Sequence, residues 1–353
     1  MKAFIGGKLK PILIIVAAVV VLLTAMIIIY LSGIGAVDGD SKKSIGVNVP
    51  SGSGASAIVE ILDEEGLVKN KTCAKIHARI GRYNSLQANS YVFSKSMTLP
   101  EMFRAINEGD FQYVSKEKVV IREGLTIPQA ADSMAEELPF SRDEILAKWS
   151  DKAYLNELIE KYWFVTDAIL DKDIMYPLEG YLYPETYFIT GDEPTIESVT
   201  AVMLDKMDQE LTSRKKEIKK SEMDIHQILT MASIVERESG NVSEEMPKVA
   251  GVFFNRLDKG MLLGSDVTVC YANNVTSLEL TQSQLNIDSK YNTRKNPGLP
   301  VGPICAVNNN AIDSVLNYEN SDYLFFFACE DGTIIYSKTN EEHEKAVEEN
   351  KWY

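Results

Sequence analysis

The sequence predicts an α+β fold behind a single N-terminal transmembrane helix. Two observations carry this prediction: an apolar run about one membrane thick near the N-terminus, and short β-branched or aromatic strands that alternate with amphipathic helices after it. With 353 residues and 45% hydrophobic composition, the chain can bury two cores outside the membrane. We predict an N-terminal tail at 1–11, a transmembrane helix at 12–31, a linker at 32–46, a small α+β domain at 47–138 and a larger mixed α+β domain at 139–353.

The apolar run at 12–31 is the strongest compositional signal. At about 1.5 Å per residue it spans about 30 Å, the thickness of one hydrocarbon core. Lys2, Lys8 and Lys10 precede it without an acidic residue, so the positive-inside rule predicts a cytoplasmic N-terminus and an extracytoplasmic remainder. A cleaved signal peptide is the competing interpretation, because Ser32–Ala36 is rich in small residues. Its apolar region is normally only about 7–15 residues long, which favours an uncleaved single-pass anchor in the cell membrane.

The overall composition argues against several classes of partner. The net charge of −15 disfavours a surface for nucleic acids or anionic lipids, because phosphate binding needs clustered Lys and Arg. The 4 cysteines show neither CxxC nor metal-ligand spacing, so we expect buried thiols, with a single Cys270–Cys305 bridge left open. The 3 histidines form no HExxH motif. We therefore predict neither a metal site nor a cofactor.

An internal repeat follows the linker. Tyr91–Ile106 and Val119–Met134 align without a gap, 28 residues apart, and a weaker copy runs from Val47 to Leu62. Each full copy reads as a short strand, a turn and a helix start, with Thr98 or Thr126 as the N-cap and a Glu or Gln at the capping-box position. Such units cannot bury their apolar faces alone, so we expect one small domain. The pattern resembles a LysM-like module, a fold associated with binding amino-sugar polymers; a packing subdomain without a ligand is the alternative.

The region before the central helices is aromatic. Tyr162–Phe164 and Leu178–Tyr187 suit either a loop that caps the core or a sugar-stacking wall. In the second interpretation this wall contributes another carboxylate, Glu179 or Glu185. Further along, we predict a scaffold helix at Glu197–Lys219, a hairpin at Tyr323–Cys329 and Thr333–Ser337, and a last helix from Thr339.

A glutamate on an apolar helix face is the main candidate for chemistry. Asp224 and Gln227 predict a capping box, and Gly240 predicts the end of the helix. Leu229 and Ala232 lie within about 40° of Glu236 on the helical wheel, beside a polar stripe. That stripe consists of His226, Thr230, Ser233 and Arg237. Burial disfavours the charged carboxylate, so we expect the pKa of Glu236 to rise towards the range of a general acid.

The alternative for Glu236 is an ordinary surface glutamate near a helix end, without a role in chemistry. Within the same segment the rival carboxylate is Glu238, which lies about 200° further around the helix. The blocks downstream favour a functional Glu236. These blocks are Val252–Leu257, Ser265–Tyr271, Tyr291–Thr293 and Gly298–Ile304.

In this order, and together with Glu236, the blocks resemble the catalytic domain of the YceG-like family, the endolytic murein transglycosylases. The resemblance extends from the Lys-rich tail to the block around His343. It implies a lyase that cleaves the β-1,4 bond between N-acetylmuramic acid and N-acetylglucosamine within nascent glycan strands, leaving 1,6-anhydromuramoyl ends and terminating strand elongation. Peptidoglycan strands, the cytoplasmic membrane and peptidoglycan synthases (penicillin-binding proteins) are the implied partners, with no nucleic acid.

Glu236 matches the family's catalytic glutamate. The other residues that we expect to position the sugar or to orient this acid are Asn255, Arg256, Asp266, Thr268, Tyr271, Tyr291, Asn292 and Glu179. The chain departs from the family where the loop Leu263–Val269 lacks a Gln and a Pro, at Gly264 and Val267. It also departs at Val301, where the family has a second Pro, and at Glu344, where an Asn is common.

Two alternatives remain open from the sequence. One is a muramidase-type hydrolase that pairs Glu236 with Asp266 or Glu179, because hydrolysis of this bond normally uses two flanking carboxylates. The other is a cell-wall-binding scaffold without catalysis, in which the LysM-like part binds glycan. The composition of the products separates these functions.

Overall fold

The structure is a computed structural model that describes residues 2–41, 43–50, 52–114, 117–189, 194–240, 242–276, 279–329 and 332–350. Its contacts divide the chain into two units. The N-terminal unit comprises Met1–Lys118 and Phe188–Glu193, and the C-terminal unit comprises Val119–Tyr187 and Pro194–Tyr353. Both units mix helices with short strands, which agrees with the predicted α+β class.

The N-terminal unit begins with a long helix and continues into a small two-stranded sheet covered by helices. Its elements are α1 (Lys2–Gly33), β1 (Ser44–Val49), α2 (Ala55–Glu64), α3 (Lys71–Ile80), β2 (Asn89–Ser94) and α4 (Leu99–Glu108). The strands β1 and β2 are antiparallel, with Ser44 opposite Ser94 and Val49 opposite Asn89. Their inward side chains, Val47 and Phe93 among them, pack on the apolar faces of the helices.

Helix α1 contains one segment, Ile15–Gly33, that is long and apolar enough to cross a membrane. The predicted linker at 32–46 is shorter in the structure, because α1 continues to Gly33 and β1 begins at Ser44. Ile34 is buried in the core of the N-terminal unit, and its carbonyl accepts a hydrogen bond from the Leu99 amide. The chain is therefore packed directly after the apolar segment.

The C-terminal unit is mostly helical. The strands β3 (Glu117–Val120) and β4 (Thr186–Ile189) form a sheet, and each straddles the division between the units. Between these strands the chain forms α5 (Ile127–Glu137), α6 (Arg142–Trp149) and α7 (Lys152–Lys161). After β4 come, in order, α8 (Ile196–Ser213), α9 (Lys215–Ile218), α10 (Ile225–Ser239), α11 (Met246–Asp258), α12 (Asp266–Ala272), α13 (Gln282–Leu285), α14 (Asn309–Leu316), the hairpin strands β5 (Phe325–Ala328) and β6 (Ile334–Ser337), and α15 (Asn340–Asn350). Helix α10 is central, because α11, α12 and α14 all pack against it.

The predicted helix starts are confirmed at the level of individual hydrogen bonds. Capping boxes begin α4 at Thr98, α5 at Thr126 and α10 at Asp224. In each, the Glu or Gln three residues later accepts a hydrogen bond from the N-cap amide. These motifs are local in sequence, and this is why they could be predicted without knowledge of the fold. The hairpin and the last helix are also present, although Asp331 in the hairpin turn lies outside the described residues.

The second copy of the repeat belongs to the C-terminal unit, although the sequence placed the domain boundary at 138/139. Residues 119–138 make their backbone contacts there: the Ile121 amide donates to the Glu185 carbonyl, and the Ala306 amide donates to the Leu125 carbonyl. The repeat describes how each segment folds locally and leaves open which neighbours cover its apolar face. The division into domains and the LysM-like interpretation of 47–138 stay predictions.

Gly180 provides a test of the packing that joins two segments of the C-terminal unit. Its φ of +77° favours glycine, and an added Cβ would lie 2.4 Å from Cβ of Pro303. We expect Gly180→Ala to lower the free energy of unfolding by about 2–4 kcal/mol through backbone strain and overpacking. The measurement is urea unfolding of the full chain in detergent, followed by the fluorescence of its 3 tryptophans, which all belong to the C-terminal unit.

Gly298→Ala is the matched control. Its φ of +82° is similar, but no atom lies within 4 Å of the added Cβ. Strain alone should then cost about 1–2 kcal/mol. Equal losses in the two variants would contradict the proposed close packing of Gly180 on Pro303.

Candidate active site

Helix α10 carries Glu236 in its last turn, and the side chain is only 7% exposed. Leu229 and Ala232, which share its face, are fully buried, and Gly240 ends the helix with a φ of +56°. The structure therefore shows the apolar setting that the helical wheel predicted. Apart from a few positions, α10 is buried around its whole circumference.

The carboxylate of Glu236 faces the start of α14. The backbone amide of Asn308 lies 3.4 Å from Oε2, and the side-chain amide of Asn308 lies 3.5 Å from Oε1. Burial raises the pKa of Glu236 to about 7, and the carboxylate of Glu123 contributes to this rise. The amide of Asn308 opposes it by stabilising the charged form, but burial is the larger effect. The acid can therefore hold or release its proton near neutral pH.

The polar stripe of α10 binds the backbone of the glycine- and proline-rich segment at 298–307. Nε2 of His226 lies 2.9 Å from the Val301 carbonyl oxygen, and the Ile304 amide donates to Oγ of Ser233 at 3.0 Å. The hydroxyl of Tyr181 lies 2.7 Å from Nδ1 of His226. Because this segment forms no helix or strand, its buried amides and carbonyls need such side-chain partners. The stripe thus fixes the segment that leads to Asn308.

The carboxylate of Glu179 is also buried, and it faces the first residue of α5. Its oxygens accept hydrogen bonds from the Ile127 amide, at 3.0 and 3.1 Å, and from the Tyr271 hydroxyl, at 3.0 Å. Burial raises the pKa of Glu179 to about 8, although these two donors oppose the shift. The ring of Tyr271 packs at 4.8 Å from that of Tyr291. Glu179 therefore joins α5 to α12.

The rival carboxylate, Glu238, has a different partner. Oγ of Ser265 donates a hydrogen bond to it at 2.6 Å, and burial raises its pKa. The Ser265 carbonyl in turn accepts a hydrogen bond from Thr268, whose hydroxyl lies 2.9 Å from that of Thr293. Glu238 and Thr268 thus hold the loop before α12 in place, and this loop is the one that lacks the family's Gln and Pro.

Three other predicted site residues bind the protein's own backbone. The Asn255 amide donates to the carbonyls of Ser321 and Tyr323, and Nε of Arg256 donates to that of Leu324. The amide of Asn292, which is fully buried, donates to the carbonyls of Leu285 and Ile287. These contacts occupy the polar groups that were expected to contact the sugar.

Asp266 lies at the surface and pairs with a cation. Its Oδ1 is 2.6 Å from Nη1 of Arg294, and both side chains are almost half exposed. The other carboxylate considered in the aromatic region, Glu185, is also exposed, whereas Tyr162, Phe164 and Tyr181 are buried. These aromatic rings therefore belong to the core, as expected of a core-capping loop.

A cleft of about 200 Å³ with a mixed polar and apolar lining opens between α12 and the start of α5. Tyr271 and Ile304 line it, as do Arg237 and the capping residues Thr126 and Gln129 at the start of α5. Nη1 of Arg237 also donates to the Gly124 carbonyl at 3.3 Å. Arg237 follows Glu236 on α10, but the carboxyl of Glu236 is not part of the lining. Of the predicted sugar-positioning residues, the cleft lining includes Tyr271.

The chemistry of the site contains no sign of a metal ligand set. Within the described residues, no group of His, Cys, Asp and Glu could hold a metal ion. The cysteines are free thiols, and Cys270 and Cys305 are both buried. Sγ of Cys305 lies 3.4 Å from the Ser233 carbonyl oxygen, on the polar stripe.

Asn308 is a site residue that was not among those predicted from the sequence. A helix start was readable there, since Oδ1 of Asn308 accepts a hydrogen bond from the Ala311 amide as the N-cap of α14. Its side-chain and backbone amides are the polar groups nearest the acid. The contact joins residues 72 positions apart in the sequence, and a local sequence pattern cannot predict a contact of that kind.

Comparisons with known proteins give the family of the chain. The YceG-like family matches residues 47–349. An endolytic murein transglycosylase from Bacillus subtilis (strain 168) is 34% identical over 313 residues, 88% of this chain and 86% of that protein. One from Streptococcus pneumoniae serotype 2 (strain D39 / NCTC 7466) is 33% identical over 330 residues, 89% of this chain and 60% of that protein. The crystal structure of a yceG-like protein from Listeria monocytogenes matches with a TM-score of 0.63 and 36% identity, over 87% of this chain and 100% of that chain.

Fold and relatives together define a mixed α+β enzyme, whose central helix α10 carries the buried Glu236. The chain belongs to the YceG-like family. The resemblance inferred from the sequence blocks is thereby confirmed.

The raised pKa of Glu236 makes a prediction about stability. Below about pH 4.5 the carboxyl is protonated in both the folded and the unfolded state, so it has no effect there. Between that pH and about 7 the folded state binds more protons, so stability falls as the pH rises, by about 3 kcal/mol in total. We expect Glu236→Gln to remove this loss and to be more stable than the wild type at pH 8, measured by urea unfolding.

The control is Glu222→Gln, which changes an exposed glutamate just before the same helix. This variant should keep the pH dependence of the wild type. If Glu236→Gln also keeps it, then the carboxyl of Glu236 is not held in a desolvated environment.

Proposed function

We propose that the protein is a membrane-anchored lytic transglycosylase that cleaves peptidoglycan strands internally, with Glu236 as its general acid and base. The observation that carries the proposal is the burial of Glu236, whose pKa of about 7 allows both proton donation and proton uptake. The names of the B. subtilis and S. pneumoniae relatives support a murein substrate. A role as a lyase on peptidoglycan follows from membership of their family.

The proposed reaction needs a single carboxyl group. Protonated Glu236 donates its proton to the glycosidic oxygen as the β-1,4 bond between N-acetylmuramic acid and N-acetylglucosamine breaks. The muramic acid's own C6 hydroxyl then attacks the anomeric carbon and loses its proton to the Glu236 carboxylate. The products are a free 4-hydroxyl on one strand and a 1,6-anhydro end on the other, and Glu236 regains its proton. No water enters the reaction, so no second base is required.

The contacts of the other carboxylates argue against the hydrolase alternative. Glu179 already accepts hydrogen bonds from the Ile127 amide and the Tyr271 hydroxyl, and its side chain has no exposed surface to offer a water. Asp266 is paired with Arg294 at the surface. A base or nucleophile needs an unoccupied carboxylate facing the anomeric carbon. Neither residue provides one in this arrangement.

The scaffold alternative has less support for an energetic reason. A buried carboxyl with a raised pKa lowers stability at neutral pH, and a binding scaffold gains nothing from it. Unlike the buried Glu179, Glu236 has only long contacts to Asn308, which leave its proton available for transfer. We therefore favour catalysis over binding alone.

We further propose roles for the residues around the acid. Tyr271 lines the cleft and contacts the sugar, while Glu179 positions Tyr271 through their hydrogen bond. Asn255, Arg256, Thr268 and Asn292 keep the surrounding loops in place through the contacts described above. Asn308 orients the carboxyl of Glu236.

Localisation is part of the same proposal. The segment Ile15–Gly33 spans the cell membrane, with the N-terminus in the cytoplasm and the chain after Gly33 outside. Extracytoplasmic glycan strands are then accessible to the enzyme, next to the synthases that polymerise them. The LysM-like role of residues 47–138 is also a proposal, supported by the order β1, α2, α3, β2 and by the closure of this region through β1–β2 pairing.

Product analysis tests the reaction. The full chain, in detergent, is incubated with uncrosslinked glycan strands, and the products are separated and weighed by mass spectrometry. We expect ends that are one water lighter than reducing ends, because the C6 hydroxyl replaces water as the nucleophile. Reducing ends would establish the hydrolase, and intact strands would favour the scaffold.

Glu236→Gln tests the assignment of the acid. We expect it to lower the rate by about 10²–10⁴-fold, because the leaving oxygen loses its proton donor. Glu238→Gln is the matched control and should cleave strands, since a neutral side chain can still accept the hydrogen bond from Ser265. The opposite result, an active Glu236→Gln and an inactive Glu238→Gln, would assign the acid to Glu238.

The pH profile gives an independent test. Because the acid must be protonated to donate, we expect kcat/KM of the wild type to fall above about pH 7. Glu238→Gln should show the same fall at the same pH. A profile that is flat through this range would contradict a role for Glu236 as the proton donor.

A further inference from the structure

Helix α3 exposes an apolar pair in the N-terminal unit. Ile76 and Ile80, one turn apart, are 45% and 65% exposed. Among the residues of this unit that the structure describes, they are the large exposed hydrophobic side chains outside α1. A soluble surface gains nothing from such a pair, and its position relative to α1 suggests what covers it.

The last turn of α1 packs against α3. The hydroxyl of Tyr30 lies 2.9 Å from Nδ1 of His77, and Sγ of Cys73 lies 3.9 Å from the Ile29 carbonyl oxygen. A Cβ at Gly33 would come within 2.6 Å of that Sγ, so the two helices touch closely there. These contacts fall in the final residues of the segment Ile15–Gly33. They place α3 at the level where α1 leaves the bilayer.

The exposed side of α3 changes from apolar to basic around the helix. Measured from Cys73, which faces α1, Ile80 lies at about 20°, Ile76 at about 60° and Arg79 at about 120° in the same direction. Arg82 follows in the turn after the helix and is also exposed. The sequence of α3 contains no acidic residue. An apolar strip bordered by cations is the pattern of a helix that lies in a membrane interface.

We propose that this strip of α3, which comprises Ile76, Arg79 and Ile80, binds the surface of the membrane that α1 spans. The isoleucines enter the boundary of the acyl chains, and Arg79 and Arg82 contact the phosphates of anionic lipids. The inference relies on the proposed anchoring by α1. It assigns to the N-terminal unit a fixed orientation against the membrane, which a flexible linker would not provide.

The net charge of −15 predicts no affinity for anionic lipids. Net charge is a sum over the whole chain, however, and the charges around α3 differ from it. At physiological ionic strength charges are screened over about 8 Å, so a headgroup at α3 senses the nearest side chains. On α2, Glu60 pairs with Lys71 and Lys75, at 2.7 and 2.8 Å. Asp63 on the same helix also pairs with Lys71, at 2.6 Å, so both of these carboxylates have a cation beside them.

Spin labelling tests the proposal in the full chain reconstituted into vesicles. Nitroxides are attached at Ile80→Cys, at Val20→Cys within the span and at Ser56→Cys on the exposed side of α2. A Cys329→Ser background is used, because the other cysteines are buried. Accessibility to oxygen and to a water-soluble nickel complex is measured in phosphatidylcholine vesicles with and without phosphatidylglycerol. We expect a ratio of oxygen to nickel accessibility that is several-fold higher at 80 than at 56.

The charge contribution has its own variant. Phosphatidylglycerol should raise the ratio at position 80, and Arg79→Gln with Arg82→Gln should abolish this response. If position 20 is in lipid while position 80 behaves like position 56, the α3 proposal is wrong and the anchor stands. If position 20 also reports water, then the anchor itself fails.

Discussion

The rest of the C-terminal unit depends on the polar stripe of α10. A helix buried on nearly all sides would normally be apolar throughout, and a stripe of polar side chains inside a core is costly unless each group finds a partner. His226 and Ser233 find theirs on the backbone of the segment 298–307, which has no partner of its own in a helix or strand. The polar side chains of α10 and the backbone groups of this segment thus act as hydrogen-bond partners for each other. This exchange carries the chain to Asn308, the residue that meets the carboxyl of Glu236.

Three carboxyls lie in this region, with Glu179 and Glu236 buried and Glu238 partly exposed, and their hydrogen-bond partners differ. Glu179 accepts hydrogen bonds from the start of α5 and from Tyr271, and Glu238 accepts one from Ser265, so both connect separate segments of the chain. Glu236 has long contacts to Asn308, at 3.4 and 3.5 Å. Burial raises the pKa of all three. What distinguishes the proposed acid is the weak hydrogen bonding that leaves its proton available.

The sequence predicts well what is local. The capping boxes at Thr98, Thr126 and Asp224 and the apolar face of Glu236 depend on residues within a few turns, and the structure shows each of them. Roles that depend on distant partners could not be predicted. Asn255 and Asn292 look like sugar ligands in the sequence, yet their amides bind carbonyls of the protein, and Asn308 shows only a helix cap.

The central claim is that Glu236 holds its proton near neutral pH because α10 and its surroundings exclude water. The most direct measurement is the titration of its carboxyl group in the folded full chain, by infrared difference spectra between the wild type and Glu236→Gln across pH. The spectra should show a protonated carboxyl that ionises at about pH 7. Ionisation near the ordinary value of 4.5 would contradict the claim.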